Sequence, residues 1–381
     1  MIEHPYFQRL RRITQMGLSN MVYPGANHTR FHHAIGCVNL MQKVVSILRV
    51  KGVKISDEEE NALYIAILLH DIGHGPFSHA LERSIVNGIS HEKISLMFME
   101  EFNTIFDGKL EIAIQLFINT YHRTFLHQLI SSQLDIDRLD YLKRDSFYTG
   151  VVEGNISSDR IIAMMDVVND ELVVEAKAIY SVEKFIVARR LMYWQVYLHK
   201  TSLVAENMII KLFQRARELT ERGEHVKVYS SLDFFLTTKI STINFTREVL
   251  QEFSKLDDVD VFFAIKMWLN HPDRVLSILS KMIFYRKFLK IEMKNNPIKK
   301  EVLDTKIRVL KKTYGMSDDE AKYFVFSGKI SNLAYDKKQP VKIINEKGKP
   351  EDIITSSNQL NLQALTEPVV KYFVCYPKKM L

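Results

Sequence analysis

The stretch LLHDIGHGPFSHALE, residues 68–82, gathers His70, His74 and His79 with Asp71 and Glu82 where glycine and proline force the chain to turn. Neutral imidazole and carboxylate together suit a divalent cation of borderline or hard character, which leaves Fe, Mn, Co, Ni, Zn and Mg open. The lack of neighbouring thiolates argues against a structural zinc site. A lone histidine is commonly a core residue, but several imidazoles and carboxylates are costly to bury unless they compensate one another. Two further segments could complete a site. RFHHAIG at 30–36 sets Arg30 and His33 just ahead of a helix, and LDIDRLDYLKRD at 134–145 sets Asp137, Tyr141 and Arg144 on one helical face with Asp145 close by. Taken by itself, the second segment also fits a solvated, salt-bridged helix.

The elements that must position these residues are mostly helical. Apolar spacing predicts a helix over 34–50 that stops before Gly52. Ser56 and Glu59 have the spacing of a capping box, and the helix they open becomes apolar on all sides as it delivers His70 and Asp71. Gly73, Gly75 and Pro76 then break it. Helices are predicted over 125–145 and 182–219, the latter closed a few residues later by Gly223, and LVVEA at 172–176 reads as a short strand. The region from about 225 to 330 continues helical, with another capping box at Ser317 and Glu320. Residues 340–345, 351–355 and 369–376 are β-rich and predict a small sheet. The fold class expected is mainly α, a helical core over 1–220 followed by a smaller α+β lobe over 221–381 carrying a short antiparallel sheet.

Composition sets the outer bounds. A chain of 381 residues with 46% apolar side chains can bury a large core. Its formal charge of +7, from 52 Lys and Arg against 45 Asp and Glu, suits a protein that handles anions and permits weak nucleic-acid binding, although the lysines thicken towards the C-terminal half and also fit a solvated surface. The two cysteines, Cys37 and Cys375, form no CxxC pair, which predicts a reducing, cytoplasmic setting. Neither an apolar leader nor a membrane-spanning run is apparent, so no membrane partner is expected.

The order His33, His70 with Asp71, and Asp137 resembles the H…HD…D signature of the HD superfamily. The ordered segments QRLRRITQMG, YPGANHTRFHHAIG, HDIGHGPFSHALE, SHEKIS and DIDRLDYLKRD are similar to its deoxynucleoside triphosphate triphosphohydrolase branch, over roughly residues 3–220. That resemblance makes His33, His70, Asp71 and Asp137 the ligands of a divalent metal and implies attack of metal-activated water at the α-phosphorus of a dNTP. It implies His79 with Glu82 as a proton-handling pair and places His91 beside the phosphates, while acid and base roles among His74, His79 and His91 stay open. It sets Arg30, Arg138 and Arg189 on the triphosphate, Gln15 and Asp145 on the sugar 3′-hydroxyl, and Tyr141 and Tyr197 where the deoxyribose packs. It also implies a homo-oligomer, dimer or higher, and an activating nucleotide near Glu3 and Arg11, in a chain that begins inside the corresponding motif. The competing readings are an HD phosphodiesterase or nucleotidase acting on another nucleotide, and a catalytically silent nucleotide sensor or single-stranded nucleic-acid binder. HDIGHG in place of HDxxED, and the lack of a GYP signature, weigh against the alarmone and cyclic-dinucleotide versions of the first.

Overall fold

Ser56 opens the helix Asp57–Leu69 with a reciprocal cap: its hydroxyl accepts from the Glu59 amide at 3.1 Å, and the Glu59 carboxylate accepts from the Ser56 amide at 2.9 Å. The four acidic residues of its first turn also oppose the helix dipole favourably. The preceding helix runs Arg30–Val50, beginning four residues earlier than apolar spacing predicts. Thr29 caps it with His32 in the role that Glu usually takes, the imidazole Nδ1 accepting from the Thr29 amide at 3.1 Å. Its buried stripe of His33, Ala34, Cys37, Leu40, Met41, Val44, Val45 and Leu48 keeps the spacing of one helical face. Each large apolar side chain so buried contributes roughly 1.5–3 kcal/mol.

The computed structural model describes residues 1–77, 86, 88–224, 226–228, 231–345, 348–357 and 362–378. Two of the long helices predicted from sequence are each divided. The 125–145 window becomes Thr124–Ile130 and Ile136–Thr149, because Asp135 caps the second by accepting from the Arg138 amide at 2.8 Å and also takes the Ser132 amide at 2.8 Å. The 182–219 window becomes Ile179–Met192, a π-helical turn over Tyr193–Tyr197, and Lys200–Glu221 capped by His199. Such turns commonly mark sites, and this one delivers two tyrosines to the cavity described below.

The fold is mainly α with small sheets. An antiparallel pair, Met165–Val168 and Glu171–Glu175, is extended in parallel by Lys342–Ile344, which pairs antiparallel with Pro350–Asp352. Strands from both sides of residue 220 therefore share one sheet. The second sheet sets Lys290–Lys294 and Phe326–Asn332 antiparallel on either side of Val369–Tyr376. The first two of these fall in the region predicted to stay helical, a correction that follows from their pairing with the central strand, Phe326–Asn332 also alternating in burial along its length. Residues 353–356 are helical rather than extended, capped by the Asp352 carboxylate, which accepts from the Ile354 amide at 3.0 Å. No helix among the described residues is long and apolar enough to cross a membrane.

Candidate active site

The helix Asp57–Leu69 ends in a turn that aims His70 and Asp71 inward. Ser95 pins this turn, its hydroxyl donating to the His70 carbonyl at 2.8 Å and accepting from the Gly73 amide at 2.9 Å. Gly73 is required by closeness, since a Cβ there would stand 2.2 Å from the His91 carbonyl oxygen and 2.3 Å from the Ser95 nitrogen. The left-handed backbone of the turn falls instead on Phe77, with φ of 51°. The Arg30–Val50 and Ile136–Thr149 helices bring His33 and Asp137 to the same point. His33 Nε2 lies 3.1 Å from Asp137 Oδ1 and 3.8 Å from Asp71 Oδ2, while His70 Nε2 lies 3.6 Å from an oxygen of each carboxylate.

These residues fit a divalent cation. His70 donates its Nδ1 proton to the Ile67 carbonyl at 2.7 Å, which leaves Nε2 as the ring atom able to meet a cation, and among the described residues that buried atom has no hydrogen-bond partner; against burial, Asp71 and Asp137 raise the ring's pKa. Two carboxylates stand within reach of it. Burial disfavours charge on Asp137, but His33 and His70 override it and hold the carboxyl far below its ordinary range. Burial opposes charge on Asp71 likewise, and Arg30, hydrogen-bonded to it through Nη1, is the main group that overrides it. His33, Cys37 and His70 also offer donor atoms within 4.8 Å of one another. The Cys37 sulfur, however, stands 3.5 and 3.6 Å from the two ring nitrogens of His33, in line with neither lone pair, and burial pushes its thiol up so that it stays protonated. The carboxylates are the better-suited partners.

A residue not singled out from sequence orients His33. Asp140 Oδ2 accepts from His33 Nδ1 at 2.8 Å and both its oxygens are held by Arg144 at 2.8 Å, a bidentate clamp. Arg144 is thus engaged by Asp140 and does not line the cavity that Asp137 and Tyr141 face. The clamp lies against Gly36, where a Cβ would come 1.9 Å from Arg144 Nη2 and 2.2 Å from Asp140 Oδ1.

Above the cluster opens a cavity of about 600 Å³ lined by Asp71, His74, His91, Asp137 and every one of the substrate-binding candidates: Gln15, Arg30, Arg138, Tyr141, Asp145, Arg189 and Tyr197. Three of these present buried atoms with no partner among the described residues, Gln15 Oε1, Arg138 Nε and Arg189 Nε. Asp145 accepts from Tyr197 OH at 2.7 Å and pairs with His28 Nε2 at 2.7 Å, and Tyr141 meets Tyr197 edge-on. His74 lies 3.3 Å from Asp71 and stacks on His91 with ring centroids 3.9 Å apart; burial, reinforced by Arg30, holds His74 well below its ordinary pKa and so neutral.

His79 and Glu82 lie outside the described residues. Glu3 and Arg11 are both exposed and do not line the cavity; Arg11 stacks over Phe31 at 3.6 Å. Sequence reasoning passed over His28, Asp140, Tyr193 and Glu206. Of these, Asp140 alone carried a usable signal, three residues from Asp137 on the same helix.

The chain matches the HD domain model over residues 30–145 and an HD associated region over 156–255. With this fold and donor set, it belongs to the HD-domain family of metal-binding phosphohydrolases. The crystal structure of a phosphohydrolase from Bacteroides thetaiotaomicron is 49% identical with a TM-score of 0.96, the match covering 99% of this chain and 94% of that one. YwfO of Bacillus subtilis is 30% identical over 93% of this chain and 80% of its own length. The human deoxynucleoside triphosphate triphosphohydrolase SAMHD1 is 28% identical over 65% of this chain and 47% of its own length.

Proposed function

We propose that the chain hydrolyses deoxynucleoside triphosphates to a deoxynucleoside and inorganic triphosphate, with His33, His70, Asp71 and Asp137 holding a divalent cation. The supporting observation is that one cavity joins the carboxylate–imidazole cluster to buried, unpartnered atoms of Gln15, Arg138 and Arg189. A polar group left so is costly unless a ligand completes it. When bound, the cation supplies Lewis acidity towards a phosphoryl oxygen and lowers the pKa of water.

The protein's own groups do the rest. Arg138 and Arg189 offer guanidinium forks to the triphosphate, and Arg30 holds Asp71 in place while facing the same space. His74, neutral and stacked on His91, is able to take or pass a proton at the phosphate end, alongside the His79–Glu82 pair that the family likeness implies. Gln15 and Asp145 read the 3′-hydroxyl. Tyr197, held protonated by burial and by Asp145, keeps its ring against the sugar with Tyr141, which excludes a 2′-hydroxyl by space alone. We assign the assembly to a homo-oligomer, and Glu3 with Arg11 to a surface that would accept an activating nucleotide.

Product analysis of the four dNTPs and the matching NTPs with Mn or Mg, with metal content measured on the same sample, tests this reading. Deoxynucleoside and triphosphate in equal amounts are expected from the dNTPs alone. Intact dNTPs, with activating nucleotides also present, would end it.

A further inference from the structure

Every carboxylate at the cation end of the cavity and beside the sugar site is paired. Asp71 meets Arg30, Asp137 meets His33, and Asp145 meets His28 and Tyr197. Glu206, on the Lys200–Glu221 helix, lines the same cavity and differs. Among the described residues no hydrogen bond or ion pair engages its carboxylate. Burial alone pushes it up to about 7, with no cation nearby to oppose the effect.

Its neighbours locate it. A methyl group on Gly17 would come 3.8 Å from Glu206 Oε1, and Gly17 follows Gln15 by two residues. Leu198, in the same wall, follows Tyr197 directly. Glu206 thus borders the segment that carries Gln15, in a part of the wall that also includes Met16 and Phe77. The side chain is half-buried and its carboxylate stays open to the cavity, where N–H donors brought by a ligand would favour its charged form.

We propose that Glu206 reads the base of the substrate and selects guanine, its two oxygens accepting from the N1–H and the 2-amino group. This rests on the triphosphohydrolase reading of the cavity. A carboxylate is an acceptor on both oxygens, and guanine's pairing edge sets two donors side by side. Adenine and cytosine put a ring nitrogen lone pair next to their single amino group, so one oxygen would face a like acceptor. Thymine flanks its one N–H with two carbonyls.

The test is kcat and KM for dGTP, dATP, dCTP and dTTP in the wild type and in Glu206→Gln, which keeps shape but turns one acceptor into a donor. We expect wild-type kcat/KM to favour dGTP over dTTP by roughly 10- to 100-fold, the range for one good bidentate pair. In the variant that ratio collapses, through KM for dGTP. The ratio is internal to each preparation, so partial misfolding does not imitate it. Equal use of the four dNTPs by the wild type, or an undiminished dGTP preference in the variant, would overturn the inference. Equilibrium binding of the four deoxynucleosides separates it from the reading beneath it, because binding needs no turnover. Deoxyguanosine held about tenfold tighter by wild type than by the variant would support the base contact even if no dNTP were cleaved, and equal binding would refute it.

Discussion

Two regions of the molecule bury charge, and they use it in opposite ways. Around His33, His70, Asp71 and Asp137, imidazoles and carboxylates face one another and still leave His70 Nε2 without a hydrogen-bond partner among the described residues. On the other side of the same turn, fully buried Arg9 gives Nη2 to the Ile72 carbonyl at 2.7 Å and Nη1 to the Leu256 carbonyl at 3.2 Å, between the rings of Phe98 and Phe253. Asp258 there accepts from the Phe77 amide at 2.9 Å and from the Thr14 amide and hydroxyl at 2.8 and 2.7 Å. Both Nη groups of Arg9 and the Asp258 carboxylate are spent on the backbone and on Thr14 and hold the turn from behind, with only Arg9 Nε left over there. Surplus binding capacity gathered from several residues around one cavity, rather than buried charge or a single unpartnered atom, marks the candidate site.

Four experiments press on this contrast, from the largest expected effect to the smallest. Asp137→Ala should lose metal and turnover together, by more than the 10- to 100-fold typical of a supporting residue; metal analysis and kcat that survive would mean the wrong ligand is named. Arg9→Met leaves two buried carbonyls without a donor, so unfolding free energy in denaturant should fall by about 3 kcal/mol. If the corner is scaffold alone, the metal content of the folded fraction stays at the wild-type level, and a matching loss of metal would break the comparison. Asp140→Asn should cost 10- to 100-fold in metal affinity or activity with little change in stability, because it supports His33 without touching substrate; an equal loss of stability would make Asp140 part of the scaffold.

The smallest effect is a pH slope. Burial pushes the Asp258 carboxyl up to about 6 against the bonds from Thr14 and Phe77, whereas an unfolded aspartate titrates near about 4. The folded state binds that proton more tightly, so its contribution is full below pH of about 4 and is lost as pH rises through about 6. Wild-type unfolding free energy, measured against Asp258→Asn, should fall by on the order of 2 kcal/mol across this window. Parallel pH profiles for the two proteins would show that the carboxyl is not desolvated as the structure implies.

Much of the site was legible because its residues carry strong chemistry in a fixed order. His33, the adjacent His70 and Asp71, and Asp137 are far apart in sequence yet bring their nitrogen and oxygen atoms to within 3.1–3.8 Å of one another. The capping boxes at Ser56 and Ser317 were equally readable, since each depends on residues only three apart. What stayed hidden depends on the third dimension. Asp135, Asp137, Asp140 and Asp145 look alike along one segment, and only packing against the Arg30–Val50 helix gives Asp140 to His33 while Asp135 turns into a cap. Helical spacing could not foresee the π-turn at Tyr193–Tyr197, because the periodicity on either side of it is nearly continuous. Glu206 gave no signal at all on an amphipathic helix, where a glutamate ordinarily faces water.

The absence of a side chain at Gly36 sets how near the helices that carry His33 and Asp137 can come. With only a hydrogen there, the guanidinium–carboxylate clamp lies flat in the crossing, and His33 and Asp137 meet 3.1 Å apart. Any larger residue would act as a spacer and force a choice between losing the clamp and prying the helices apart. The spacing of the imidazole and carboxylate groups in the cluster is thus governed by one methyl group's worth of empty room on the far side of the crossing.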